Sequence, residues 1–179
     1  EAKIFLRELR EKTQETVNLA IMRDDSLIYL NSLESPSAIK VRSHMGLRLS
    51  AHCSAEGKVL LAFGAPDDQA RIIAQGLSRQ TLNTIIDPVA FADEMKLVED
   101  RGYATDYEES EIGVRSIAVP VFSGDNDVAA AVGISGPVQR LTKRTLISYL
   151  PALTRAADAI STKLGAGPRY APPVLRVAK

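Results

Sequence analysis

The pattern of apolar and polar positions over the first 50 residues predicts one helix followed by three strands. Residues 1–14 carry apolar side chains at helical spacing, with acids and bases on the remaining face. Two apolar runs, 16–23 and 27–34, flank the turn-forming sequence Asp24-Asp25-Ser26 and predict a β-hairpin. A third strand is predicted at 39–44, where apolar and charged residues alternate with a period of two.

Three short helices are predicted after this first group of strands. Each begins at a residue type that favours helix N-termini and ends at a glycine, and apolar residues recur along one side of each. The predicted helices are residues 55–63 with Ser54 as the N-cap, a helix from Pro66 to Gly76, and a helix from the N-cap Asp87 to Gly102.

The second half of the chain predicts three more strands and a loop. The strands are at 102–105, 114–122 and 128–134, and the last two are joined by a run of turn formers. Residues 135–140, with the sequence SGPVQR, predict a loop. Asp106 is expected directly after a strand, where its side chain would lie at one end of the sheet.

A long amphipathic helix is predicted from Thr142 to Gly165, and Pro151 is expected to kink it or divide it in two. The proline-containing tail, residues 166–179, predicts an extended arm or disorder. Strands, helices, further strands and a terminal helix together favour an α+β fold, with helices packed on one antiparallel or mixed sheet.

Composition and charge narrow the class of protein. A chain of 179 residues is long enough for one domain with its own core. Its 22 Lys and Arg residues balance its 22 Asp and Glu residues, which argues against DNA binding by this segment alone. Cys53 is the single cysteine, so no internal disulfide can form, and a cytoplasmic setting is expected. Because residue 1 is Glu and already in a helical pattern, the chain is expected to begin inside a larger protein.

The residues that could carry catalysis or bind a metal form no established pattern. Cys53 with His52 or His44 offers a thiol and a base, but a small buried thiol is the more common state of a lone cysteine. Two histidines and one cysteine have no metal-ligand spacing. The acidic run at 106–111 is typical of a solvated loop, with Asp106 as the exception. No cofactor is therefore expected.

Two positions favour a small ligand. The helix that follows Ser54 presents the free backbone N–H groups of Ala55, Glu56 and Gly57 at the positive end of its dipole, although the carboxylate of Glu56 can itself satisfy that end. The second position is 134–137, with the sequence ISGP, where a central strand ends and exposes backbone and hydroxyl groups. The same sequences are equally consistent with an ordinary capped helix at the first position and an ordinary strand end at the second.

Five motifs in this order resemble the effector-binding domain of IclR-family transcription regulators, over about residues 5–165. They are ETVNLAI (15–21), AHCSAEGKVLLAF (51–63), IIDP (85–88), RGYATDYEESEIGVRSIAVPVF (101–122) and GISGPVQRLT (133–142).

The resemblance implies a GAF/profilin-like fold: a curved, mainly antiparallel sheet with helices packed on both sides. It implies that residues 1–14 end an interdomain linker helix and that 15–165 form the effector-binding domain, with 166–179 as a tail. A small organic or aromatic acid is the implied effector, and binding would alter the placement of an N-terminal winged helix-turn-helix domain that is absent from this chain. The implied assembly is a homodimer or homotetramer. No enzyme activity and no membrane association are implied.

The family's pocket positions carry over to nine residues of this chain. The resemblance assigns apolar walls, backbone amides at a helix start, and polar groups on the strands. These positions are Val41, Leu49 and Val114 for the walls, Ala55 and Glu56 for the helix start, and Asp106, Ser116, Gly133 and Ser135 for the strands.

Three of the surrounding residues depart from the family pattern. Relatives commonly have Pro at the position of Ser50, a small or apolar residue at Glu56 and Ser at Gly133. An added carboxylate at Glu56 disfavours an anion, and glycine at 133 removes a hydrogen-bond donor. Arg42, Lys40 or Arg115 could compensate by pairing with Glu56 or with the effector.

Two other functions stay open at this point. One is a thiol-dependent, hydrolase-like activity that uses Cys53. The other is a GAF-like module that only mediates dimerisation, with a vestigial pocket.

Overall fold

The computed structural model describes residues 2–43 and 45–167 of the chain. Five helices and six strands are formed within these residues. They are α1 (Ala2–Thr13), β1 (Thr16–Arg23), β2 (Ser26–Leu33), β3 (Arg48–Leu49), α2 (Ala55–Phe63), α3 (Pro66–Gln75), α4 (Pro88–Arg101), β4 (Ala104–Tyr107), β5 (Val114–Phe122), β6 (Val128–Pro137) and α5 (Lys143–Lys163).

The six strands form one curled antiparallel sheet in the order β3-β2-β1-β6-β5-β4. Strands β1 and β2 form the predicted hairpin, in which Asp24 and Asp25 both have a positive φ and Arg23 pairs with Ser26. A two-residue turn of this kind matches the twist of the strands it connects. Strand β1 also pairs with β6, so the first and the last of the six strands are neighbours in the sheet.

Helices cover both faces of the sheet, as the family resemblance implies. Leu6 of α1 and Leu153 of α5 pack with Ile117 and Val119 of β5 on one face. Ala118, between those two β5 residues, contributes to the other face, where α2, α3 and α4 pack. Since β5 is buried on both faces, its sequence is a nearly continuous apolar run.

The predicted helix ends agree with the structure. The Ser54 side chain accepts a hydrogen bond from the Gly57 N–H at 3.2 Å, and Asp87 accepts one from the Ala90 N–H at 2.8 Å. Gly102 ends α4 in the left-handed conformation, with φ 78°. Each cap satisfies donors or acceptors that a helix terminus leaves unpaired.

The third predicted strand is wrong. Residues 39–43 form no strand, and the edge strand is instead Arg48–Leu49, which pairs with Leu27 and Ile28 of β2. The alternating pattern at 39–44 does not mark a buried face, because Ile39 is 72% exposed. Residue 44 lies outside the described residues.

Two further predictions, on the bounds of strands β4 and β6, are wrong. Strand β4 begins and ends two residues later than predicted, so Asp106 lies within it rather than after it. Strand β6 continues through Pro137, because Ser135 and Gly136 of the predicted loop pair with Ser116 and Arg115 of β5.

Helix α5 is not divided at Pro151, which is exposed, so that part of the expectation is wrong, and a kink there stays a prediction. On the same helix Leu146, Leu150 and Leu153 are packed into the core, and this packing holds the helix together across the proline. The predicted extended or disordered tail falls largely on residues 168–179, which lie outside the described residues.

Within the described part of the chain, no helix is both long and apolar enough to cross a membrane.

Candidate functional site

A cavity of about 400 Å³ lies against the face of the sheet that α2 covers. Its volume is in the range of small-molecule binding sites. All six strands, the start of α2, the segment before α2 and the loops that connect these elements contribute to its walls. The lining residues are Asn18, Tyr29, Val41, Arg42, Arg48, Leu49, Ser50, Cys53, Ser54, Glu56, Gln80, Asp106, Ser110, Glu111, Val114, Ser116 and Ser135.

Seven of the nine residues assigned from the family resemblance line this cavity. They are Val41, Leu49, Glu56, Asp106, Val114, Ser116 and Ser135. The structure therefore brings together residues that are up to 94 positions apart in the chain, from Val41 to Ser135. The other two, Ala55 and Gly133, are buried but do not line the cavity.

Glu56 is a buried carboxyl in the cavity wall, with 1% of its surface exposed. Asn18 donates a hydrogen bond from Nδ2 to its Oε1 at 3.3 Å, and the Tyr29 hydroxyl and the backbone N–H of Glu56 also bind the carboxyl. Burial raises the pKa of Glu56 to about 7, and the nearby Asp106 adds to the increase. Near neutral pH this carboxyl therefore has both its protonated and its ionised form within reach.

A polar network connects Glu56 to the strands of the sheet. Asn18 also donates to the hydroxyl of Ser135 at 3.2 Å, and its Oδ1 accepts a hydrogen bond from Ser32 at 2.8 Å. Asn18 is 4% exposed and lies in the middle of an apolar strand. These bonds fix the orientation of the amide, because its oxygen faces Ser32 and its nitrogen faces the cavity.

Asp106 lines the cavity, but its oxygens also organise the turn that follows β4. It accepts a hydrogen bond from the Glu109 N–H at 2.7 Å, and the Ser110 hydroxyl and N–H donate to it as well. Burial raises the pKa of Asp106, and these hydrogen bonds oppose the increase. Asp106 thus shapes the wall that Ser110 and Glu111 form.

The start of α2 is largely satisfied by its own side chains. Ser54 binds the Gly57 N–H, and the Glu56 carboxyl binds its own N–H. The sequence left open whether Glu56 would occupy the helix N-terminus itself, and in this structure it does. The predicted contact of an effector with the amides of Ala55 and Glu56 stays a prediction.

The cavity's exposed edge carries two arginines and one acid. Arg42, Arg48 and Glu111 are exposed residues that line it, and we call them the rim. Arg48 lies 3.2 Å from Asp24 in an exposed pair. Guanidinium groups suit the carboxylate of a small ligand because they bind it through two parallel hydrogen bonds.

The other two cations considered from the sequence do not line the cavity. Lys40 pairs with Glu34 at 3.0 Å. Arg115 pairs with Glu108 at 3.4 Å and donates to the Leu141 carbonyl. Of the three candidates, Arg42 alone is placed to meet an effector.

Cys53 and His52 do not form a nucleophile and base. The Cys53 thiol donates to the Ser50 carbonyl, and a ring nitrogen of His52 lies 2.9 Å from the Ser78 carbonyl. Burial raises the pKa of Cys53 to about 12, so the thiol is protonated at neutral pH. Among residues 2–43 and 45–167, no group of three or more His, Cys, Asp or Glu could hold a metal ion.

Sequence reasoning missed several residues of the cavity wall. Asn18, Tyr29, Gln80 and Ser110 line it without having been assigned. Asn18 had a signal, since an amide in the centre of the apolar run TVNLAI must find buried partners. Tyr29 and Gln80 had none, because only the folded sheet brings them to this cavity.

A family model and a similar protein of known type both place this chain in one protein family. Residues 1–162 match the family model "Bacterial transcriptional regulator IclR C-terminal". The HTH-type transcriptional regulator BhcR of Paracoccus denitrificans is 36% identical over 169 residues, which cover 94% of this chain and 60% of BhcR. The chain thus spans about three-fifths of the length of this relative.

Solved structures agree with this result. The C-terminal domain of the Escherichia coli regulator KdgR is 35% identical with a TM-score of 0.81, covering 92% of this chain and 96% of that domain. The inducer-binding domain of the Acinetobacter transcription factor PobR, a double mutant in complex with 3-hydroxybenzoic acid, is 30% identical with a TM-score of 0.82. That match covers 89% of this chain and 95% of the PobR domain.

Proposed function

The chain belongs to the IclR family of transcriptional regulators, as an effector-binding domain, and we propose that its cavity senses a small organic or aromatic acid. The observation that carries this proposal is a cavity with buried polar groups on its inner wall and two arginines at its rim. Such a cavity can fix the orientation of a small acid. The 3-hydroxybenzoic acid bound by the related PobR domain supports the choice of an acid.

The domain acts as a sensor rather than as an enzyme in this proposal. No bond is made or broken, and the effector stabilises one arrangement of domains or subunits. No cofactor takes part. The inert thiol of Cys53 supports this reading over a thiol-dependent hydrolase.

The whole protein, in the same proposal, is a cytoplasmic homodimer or homotetramer that binds DNA through a separate winged helix-turn-helix domain. Helix α1 leads to that domain as the end of a linker helix. Leu6 and Leu9 of α1 are packed in the core against the sheet, so a movement of α1 would change the packing on the strands.

A thermal-shift screen with small carboxylates and aromatic acids tests the proposed site. A ligand at 100 times its Kd stabilises the folded state by about 2.7 kcal/mol, or roughly 5–10 °C for a chain of this size. Ser135→Leu places a larger, apolar side chain in the cavity wall and removes the hydroxyl that Asn18 binds, so it should abolish the shift. Ser148→Leu, at an exposed position on α5, is the matched control and should keep it.

Two results would contradict the proposed site. If hits stabilise Ser135→Leu as strongly as the parent chain, the acid binds elsewhere. If no acid shifts the parent, and sedimentation shows a dimer that ligands do not alter, the chain is a dimerisation module with a vestigial pocket.

A further inference from the structure

The Glu56 side chain occupies the space that any side chain at position 133 would need. A β-carbon at Gly133 would lie 2.2 Å from Oε1 of Glu56 and 2.5 Å from its Cδ. Such distances are far below van der Waals contact. Gly133 does not have the positive φ that favours glycine for backbone reasons. Its lack of a side chain is therefore explained by Glu56, and the two departures from the family pattern are one structural feature.

The Glu56 carboxyl retains capacity for another donor. A carboxylate has about four acceptor positions, and three donors reach this one: Asn18, Tyr29 and its own N–H. The bond from Asn18 is long, at 3.3 Å. Because Glu56 lines the cavity, a donor on a bound ligand can take the remaining position.

A carboxylate of the ligand is disfavoured at this inner wall. Glu56 and Asp106 are both 1% exposed, so a third carboxylate there would face two buried acids at low dielectric. At the rim, Arg42 offers the opposite charge, while Arg48 is shared with Asp24 and Glu111 is the one acid of the rim. The cavity thus has an inner end for hydrogen-bond donors and an outer end for an anion.

Resting on the proposed function, we infer that Glu56, with Gly133 making room for it, is the specificity-determining residue of the cavity. It selects acids whose end opposite the carboxylate carries a hydrogen-bond donor, either a hydroxyl or an ammonium group. Dicarboxylates and acids with an apolar far end are the ligands that it disfavours.

Two matched series of acids test this selectivity by isothermal titration. The aliphatic series is butanoate, 4-hydroxybutanoate, 4-aminobutanoate and succinate, and the aromatic series is benzoate, 3-hydroxybenzoate and benzene-1,3-dicarboxylate. Measurements at about pH 8 keep Glu56 mainly ionised, since its pKa is about 7. The parent should bind the hydroxyl or amino members about tenfold more tightly than the dicarboxylate, a difference of about 1.4 kcal/mol.

Glu56→Gln should remove most of this preference, because its amide donates to a carboxylate as readily as it accepts from a hydroxyl. Glu99→Gln removes an exposed carboxylate of α4 that does not line the cavity and is the matched control, which should keep the parent's order of affinities. If acids bind but Glu56→Gln preserves that order, the inference is wrong while the proposed function stands. If neither series binds the parent, both fail.

A double-mutant cycle tests the Glu56 and Gly133 contact without any ligand. Gly133→Ala should destabilise the parent chain in urea unfolding and be tolerated in a Glu56→Ala background. Gly136→Ala is the control on the same strand, because its β-carbon would meet Glu15 at 2.6 Å instead. Its cost should be the same in both backgrounds. Equal cost of Gly133→Ala in both backgrounds would show that Glu56 does not require the glycine.

Discussion

Glu56 and Cys53 line the same cavity, and burial raises the pKa of both side chains. The physical cause is shared, since a charged form loses hydration when it leaves water. The consequences differ, because the thiol becomes inert while the carboxyl stays within reach of its ionised form at neutral pH. The inner wall therefore holds an unreactive thiol beside a carboxyl group that can ionise near neutral pH.

Cys53 should resist alkylation in the folded chain. With a pKa of about 12, almost no thiolate is present at neutral pH. Iodoacetamide labelling, followed by mass spectrometry, should be far slower for the native chain than for the urea-unfolded chain at the same pH. The chain has one cysteine, so the label is unambiguous. Rapid stoichiometric labelling of the native chain would instead support the alternative hypothesis of a thiol-dependent enzyme.

Glu56 should make the chain less stable as pH rises from about 4.5 to about 7. Its pKa is 4.5 for an unperturbed side chain and about 7 in the fold, so the folded state holds the extra proton in this window. The stabilisation is complete below the lower value and is lost as pH passes the higher one. Urea unfolding of the parent and of Glu56→Gln, at several pH values, should give curves that diverge across this range.

If the free energies of unfolding of the parent and of Glu56→Gln changed in parallel with pH, Glu56 would not be the source of the pH dependence. Asp106 and Glu109 also have raised pKa values, but both are present in the parent and in the variant. Their separate contributions therefore largely cancel in the difference between the two curves, which leaves Glu56 together with its electrostatic coupling to Asp106.

Between elements, a buried ion pair joins α2 to the turn that follows β4. Lys58 of α2 is 1% exposed, and its Nζ lies 2.7 Å from Oε1 of Glu109 and 3.5 Å from Glu94 of α4. Two threonines hold the same turn, since Thr81 donates to the Glu108 carbonyl and Thr84 to the Glu109 carbonyl. The turn carries cavity residues, so this pair positions part of the cavity wall.

Lys58→Met should cost about 3–5 kcal/mol of stability, because it leaves Glu109 buried without its cation. Oε2 of Glu109 already has no hydrogen-bond partner among the described residues, so little else can compensate. Replacing both partners, with Lys58→Met and Glu109→Leu, should recover most of the loss. The free energy of unfolding in urea measures both effects.

Lys96→Met provides the control for this pair. Lys96 lies 3.6 Å from Asp93 in an exposed pair, where losses of about 0–1 kcal/mol are typical. A loss of the same size for Lys58→Met would mean that the buried pair does not stabilise the fold.

At the scale of the whole molecule, the sheet separates the cavity from helices α1 and α5. The cavity lies on the face covered by α2, while α1 and α5 pack on the opposite face. A ligand in the cavity and a domain attached through α1 would therefore be on opposite sides of one sheet. The strands between them, β1 and β6, are hydrogen-bonded neighbours that carry Asn18 and Ser135 of the cavity wall.

The chain alone should not bind DNA at about 0.15 M salt. Its 22 cationic and 22 anionic side chains leave no net charge to replace the counterions of a phosphate backbone. A gel-shift assay with and without an added winged helix-turn-helix domain checks this expectation. Salt-sensitive retardation by the chain alone would contradict it.

The sequence predicted most elements because their signals are local. Ser54 and Asp87 are caps that act within three residues, and the apolar run of β5 reports burial on both faces. The failures were at positions where the deciding contact is remote. Ile39 has a strand-like context but is exposed, and Ser135 continues a strand because β1 and β5 pair with it on either side.

By itself, the sequence determined the family and most of the elements, since these follow from motifs and periodicity, and the family resemblance assigned seven of the 17 residues that line the cavity. Tertiary structure decided how those residues act. It placed the Glu56 carboxyl over Gly133, recruited Asn18 and Tyr29 to bind it, and buried Cys53 beyond reactivity. These outcomes depend on distances and dielectric environment between residues far apart in the chain, and only the folded sheet sets them.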